Sequence, residues 1–164
     1  MANNTVDQLH VTTLTATNFT PPAGSIKNTS IEAATGIAAT KLEHPIRVTV
    51  CQESDTTATD QTFVAHSVYG ATGTIVAFEV GCITPPVGAA TIDVDLLVGG
   101  ASVLSEAVQL TSATAARTVA AGTVSSADLA DGDCVEVDID ETTGGGTQGK
   151  GVYATVVIHE DAAP

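Results

Sequence analysis

Tryptophan is absent from this 164-residue chain, and phenylalanine and tyrosine together make up only 3 % of it. A large ligand pocket walled by aromatic rings is therefore not expected. Val, Ile, Leu and Ala must fill the core, and such small side chains suit the thin interior between two packed sheets. Basic residues are nearly as scarce, with five Lys and Arg against nineteen Asp and Glu and a net charge of −14. Nucleic-acid binding depends on clustered Lys and Arg and on aromatic platforms for bases, so no nucleic acid is expected as a partner. Cysteine is limited to Cys51, Cys82 and Cys134, an odd number without a close C-x-x-C spacing. Neither a disulfide framework nor a zinc knuckle follows, and free, mostly buried thiols made in a reducing cytoplasm are expected. No apolar run approaches the ~20 residues that a membrane span needs. The N-terminus, MANNTVDQLH, has neither a basic nor an apolar export region, so no membrane association is expected.

What is present divides near His44-Pro45. Up to Arg47 the acids Asp7, Glu32 and Glu43 are balanced by Lys27, Lys41 and Arg47. Beyond it sixteen acids stand against Arg117 and Lys150 and carry the whole net charge. Residues 1–44 read as an extended N-terminal arm. Leu9–Phe19 (LHVTTLTATNF) leans toward β structure until Pro21-Pro22-Ala23-Gly24 interrupts any ladder. Ser30 can cap one short helix in which Ile31, Ala34, Ala38 and Leu42 fall near helical spacing, and Gly36 weakens it enough to need a partner surface.

From Pro45 the hydrophobic period becomes two. Ile46, Val48 and Val50 alternate with Arg47 and Thr49, and Val76, Phe78 and Val80 repeat the pattern. Ile92, Val94, Leu96 and Val98 alternate with Asp93 and Asp95, as Val135, Val137 and Ile139 do with Glu136, Asp138 and Asp140. Such alternation marks antiparallel strands with one face in the core and one in water. Further strands are expected at Thr62–Tyr69, Ser102–Leu110, Ala115–Val124 and Gly151–Glu160. Turns are expected at Pro85–Gly88, Gly99-Gly100, Asp131-Gly132 and Gly144–Gly149. About eight short strands with turns at this spacing predict an all-β domain over residues 45–164, an antiparallel β-sandwich whose favoured form is a jelly roll.

The motifs that could carry chemistry have plainer readings. Gly144–Lys150 fits most of a phosphate-binding G-x-x-x-x-G-K loop. That loop needs Ser or Thr after the lysine and a helix facing the phosphates, whereas Gly151 follows here and the next residues alternate as a strand, so a flexible hairpin loop is expected. The acids Asp131, Asp133, Glu136, Asp138, Asp140 and Glu141 offer oxygen ligands for calcium, but period two sets three of them in a solvated row and no EF-hand loop is present. His10, His44, His66 and His159 accompany no G-x-S-x-G elbow and no cysteine-protease signature. The chain is not expected to be an enzyme, and no catalytic, cofactor-binding or metal-ligating residue is assigned.

Two stretches carry a resemblance. Ala23–Leu42 (AGSIKNTSIEAATGIAATKL) resembles an I-x-N-x-x-I-x-A-x-x-x-I-x-x-x-K-L element of tailed-bacteriophage structural proteins, found in fibres and capsid-attached proteins. Thr91–Leu104, Leu129–Asp140 and Gly149–Ile158 are similar to a β-sandwich module of phage virions. The resemblance implies a virion protein made in the host bacterial cytoplasm. Long fibres need extended repeats or heptads, which this chain lacks, so a capsid decoration (cement) protein on the outer capsid surface is the expected role. Its arm would bury Leu9, Val11, Leu14, Phe19, Ile26, Ile31, Ile37 and Leu42 on neighbouring copies of the major capsid protein and crosslink them. Proteins of this type are commonly homotrimers, so self-association is also implied. The alternative is a receptor- or glycan-binding tip of a tail fibre that presents the loops Gln52–Gln61 and Glu141–Gly149.

Overall fold

The computed structural model describes residues 44–161, which contain strands and turns and no helix. The arm of residues 1–44, apart from His44 itself, and the short helix expected after Ser30 lie outside the described residues.

Ten strands build two antiparallel sheets. The first sheet runs β1 (His44–Cys51), β10 (Lys150–Asp161), β3 (Thr72–Thr84) and β7 (Val119–Gly122), with β8 (Asp128–Leu129) also pairing β3. The second runs β2 (Gln61–Ser67), β9 (Cys134–Thr142), β4 (Thr91–Val98) and β5 (Ala101–Ser102), with β6 (Val108–Leu110) also pairing β4. β5 and β6 are two pieces of one edge, as are β7 and β8. Counted so, the first strand lies beside the last, the second beside the next to last, and the chain is a rolled-up hairpin of eight strands. That order is the jelly roll, in which successive long strands alternate between sheets.

The alternation of the sequence builds the core directly. Ile92, Val94, Leu96, Val135, Val137 and Ile139 point inward from β4 and β9 and meet Val152, Ala154, Val156 and Ile158 of β10. Phe78 is the largest fully buried side chain. Each such burial contributes roughly 1.5–3 kcal/mol relative to exposure. Across the open side of the two layers, His66 on β2 meets Glu160 on β10 at 2.6 Å. The broken edges are tied to each other as well, through the Leu104–Val124 bridge and the bond from Ser105 N to Thr123 O.

Three expectations need correction. Val76 is not in the core: it is 49 % exposed, and Ile75 takes the inward place. Val157 faces Ala77 and Ile158 faces Ile75, so Val76 is the extra residue of a β-bulge, which slips the pattern by one. The strands expected at Ser102–Leu110 and Ala115–Val124 shrink to short pieces: in the first the strand stops at Ser102 and Val103 and Leu104 are buried in the core, and in the second Ala116 and Arg117 form a turn before β7. Finally, Gly144–Gly149 is no hairpin, since β9 and β10 belong to different sheets and this segment crosses from one to the other.

Candidate binding surfaces

The crossing segment and its neighbours form one end of the sandwich. Thr147 pairs with Val87 through reciprocal backbone bonds of 2.8 and 3.0 Å. A Cβ on Gly146 would stand 2.1 Å from Val87 O, and one on Gly149 2.7 Å from Thr84 O, so these glycines are required by close backbone approach. The G-x-x-x-x-G-K resemblance is thus accounted for by packing, and Lys150 opens a strand, not a helix.

The loops Gln52–Gln61 and Glu141–Gly149 are laced together. Ala58 N donates to Gly149 O at 2.9 Å, Gly151 N to Thr56 O at 3.1 Å and Glu141 N to an Asp60 carboxylate oxygen at 2.8 Å. Two glutamines lie beneath, Gln52 and Gln148, both buried. Gln52 Nε2 donates to Thr59 O at 2.7 Å, and Gln148 Nε2 donates to the Glu141 carboxylate. The Oε1 atoms of both are buried without a hydrogen-bond partner among the described residues. Beside Gln52 opens a cleft of about 340 Å³ lined by Glu53, Thr56, Thr59, Gln61 and Phe63. Sequence reasoning missed both buried amides, because a polar residue in a Thr-rich or Gly-rich loop gives no signal of burial.

The two outer faces differ in charge. On the second sheet Asp93 lies opposite Asp140, Asp95 opposite Asp138 and Leu97 opposite Glu136. No base shares these rows. Neutral donors hold the carboxylates: Gln109 Nε2 to Asp93 at 2.9 Å, Ser102 Oγ to Asp95 at 2.8 Å and Thr62 Oγ1 to Asp138 at 2.6 Å. Asp131 and Asp133 lie apart from this row and accept from Gly70 N and Ala130 N, both at 2.7 Å. No group of three or more metal-ligating side chains occurs among the described residues.

The outer face of the first sheet is built from cross-strand rows that the register defines. One row is Cys51, Tyr153, Gly81 and Val119; the next is Thr49, Thr155, Glu79 and Ala121; a third is Arg47, Val157 and the bulged pair Ala77 and Val76. Arg47 and Glu79 are the only charged residues in these rows, and the rows beyond them add Asp128, opposite Thr74 and in line with His159, and Asp161, opposite Thr72. Gly81 leaves room for the Tyr153 ring, which a Cβ there would meet at 2.5 Å.

The eight arm residues expected to bind a partner, Leu9 through Leu42, lie outside the described residues. His66 is held by Glu160, and His159 sits in the last strand. All three cysteines are free, but only Cys82 is buried; Cys134 is half-buried and Cys51 is exposed, which corrects the expectation of mostly buried thiols. Burial pushes the Cys82 thiol above its usual value of 9.0.

The fold therefore defines a small jelly-roll module whose second sheet is the more acidic of the two. Comparison with protein-family models and with curated proteins finds no match.

Proposed function

We propose that this chain is a virion structural protein that decorates the outside of a phage capsid, where it crosslinks neighbouring capsid subunits and acts by binding alone. One observation carries the reading. The eight-strand jelly-roll order closes within residues 44–161, so the sandwich needs no strand from the preceding segment, whose sequence carries the apolar positions and the phage-like motif. β1, the strand that follows that segment in the chain, is an edge strand of its sheet. The acidic second sheet suits the solvent side of a crowded shell, where like charge keeps particles apart.

The test is co-sedimentation of the full chain, and of a chain lacking Ala2–Leu42, with heads of the encoding phage assembled without this protein. Arm-dependent binding that raises the temperature of genome release is the expected result. Absence of binding to heads would overturn the reading. The cleft beside Gln52 favours a second reading, a glycan-binding fibre tip, in which Phe63, Gln61 and Thr59 of the cleft lining would contact the sugar. Binding to host surface glycans that is lost in Phe63→Ala would move the assignment there.

A further inference from the structure

We infer that the cleft beside Gln52 receives a positively charged side chain, the ammonium of lysine or the guanidinium of arginine, carried by a partner protein. The lining holds one charge, and it is negative. Glu53 is the only charged residue there, and its carboxylate forms no ion pair and no hydrogen bond among the described residues. Asp55 and Asp60 stand in the same loop and add to the negative potential. Lys150 pairs through its backbone with Thr57, but it does not line the cleft and makes no ion pair among the described residues.

Gln52 supplies the second half of the recognition. It lines the cleft while only 6 % exposed. Its Nε2 is held by Thr59 O at 2.7 Å and lies 3.4 Å from Gln61 Oε1, so the donors of the amide are spent within the loop. What remains is Oε1, a buried acceptor with no partner among the described residues. Such an acceptor is costly to leave unmade, and a ligand that brings N–H groups supplies the missing bond. A neutral hydroxyl also answers Oε1, but it leaves the Glu53 charge uncompensated. A cation answers both, with charge-assisted bonds, and Phe63 gives apolar surface to the alkyl stem of Lys or Arg. The cleft is preformed, because the bonds from Ala58 N to Gly149 O and from Gly151 N to Thr56 O pin its loop to the chain entering β10. Its volume of about 340 Å³ is at the lower end of the ~300–1,000 Å³ of ligand sites, which suits one side chain better than an extended segment.

The site does not depend on capsid attachment, and its test uses small probes on the full chain. Lysine and arginine blocked as N-acetyl methylamides are titrated at constant ionic strength, while the side-chain amide signals of Gln52 and Gln61 are followed in proton–nitrogen correlation spectra. Saturable shifts are expected from both probes, and none from the lysine probe acetylated on Nζ, which keeps the stem and loses the charge. Glu53→Gln should weaken binding several-fold, as loss of an exposed ion pair does. Glu106→Gln, which removes the same charge from the link between β5 and β6, should leave binding unchanged. Equal losses in the two variants would mark general attraction to a negative chain and overturn the inference. Shifts from glucose or galactose without any from the charged probes would overturn it in favour of a glycan, and tighter binding of putrescine than of either blocked residue would overturn it in favour of a free amine. No shift with any probe would also sink it.

Discussion

Gly146 shows how one residue fixes the joint between two sheets. The crossing segment passes so close to Val87 that a methyl group at Gly146 has no space on the backbone side, and the obstacle is a carbonyl that cannot rotate away. Gly146→Ala is expected to lower stability by about 1–3 kcal/mol, the usual cost of forcing extra volume into packed structure. Urea denaturation measures it, and an unchanged midpoint would show that the segment moves aside. Cys82 gives a residue-scale expectation about pH. Its thiol is fully buried, so folding favours the protonated form and the folded value lies above 9.0. The unfolded thiol ionises first as pH rises. The stability contributed by the neutral thiol is therefore complete below pH 9.0 and is lost as pH climbs through the folded value. In a background with Cys51 and Cys134 replaced by Ser, Cys82→Ala should destabilise at pH 7, and its deficit relative to the parent should shrink above pH 9.0. A constant deficit across that range would mean that the thiol is solvated in the folded state. Gln52 and Gln148 belong at this scale too, since their burial depends on which loops cross above them and no local pattern in the sequence announces it.

At the scale of the strand, β4 and β9 are the best-determined elements and also hold an unfavourable arrangement. Their register sets Asp93 against Asp140 and Asp95 against Asp138 without a cation between them. Directly opposed like charges destabilise a sheet, so Asp140→Asn is expected to raise stability by about 0.2–1 kcal/mol. The gain should vanish at high salt, where screening already removes the repulsion; denaturation at two ionic strengths decides it, and a gain that persists in high salt would point to a cause other than charge. These strands were legible in the sequence because strict alternation of Val and Ile with Asp and Glu leaves one choice of inward face. The face of β3 was half legible. Phe78 and Val80 point inward as the period predicts, but a period-two pattern cannot register an inserted residue, and the bulge put Val76 outside and Ile75 inside. β5 to β8 were misjudged in extent for a related reason. Val103 and Leu104 are buried by crossing between layers, and an apolar residue in a crossing looks the same in sequence as one in a strand.

At the scale of the whole molecule, alternation named the solvent-facing acids but could not say that β4 and β9 are neighbours. The concentration of acids in facing rows on one sheet is a property of the topology. The same topology bears on whether the body folds without residues 2–42. β1 lies beside β10 over its whole length, from His44 opposite Glu160 to Cys51 opposite Tyr153. The chain is thus pinned at β1, and the sandwich needs nothing upstream to complete its strand order. We expect the shortened protein to keep a β-type circular dichroism spectrum and to melt in one cooperative transition within a few degrees of the full chain, as a single small domain does. The contrast with truncation inside β1 is sharper. Removing residues up to Thr49 strips β10 of its edge partner, uncovers Val156 and Ile158, and leaves six residues of ladder unpaired, so that variant should unfold at ambient temperature. A chain lacking only residues 2–42 that melts broadly, or not at all, would show that the upstream segment is part of the folded body, and the boundary at His44 would have to move toward the N-terminus.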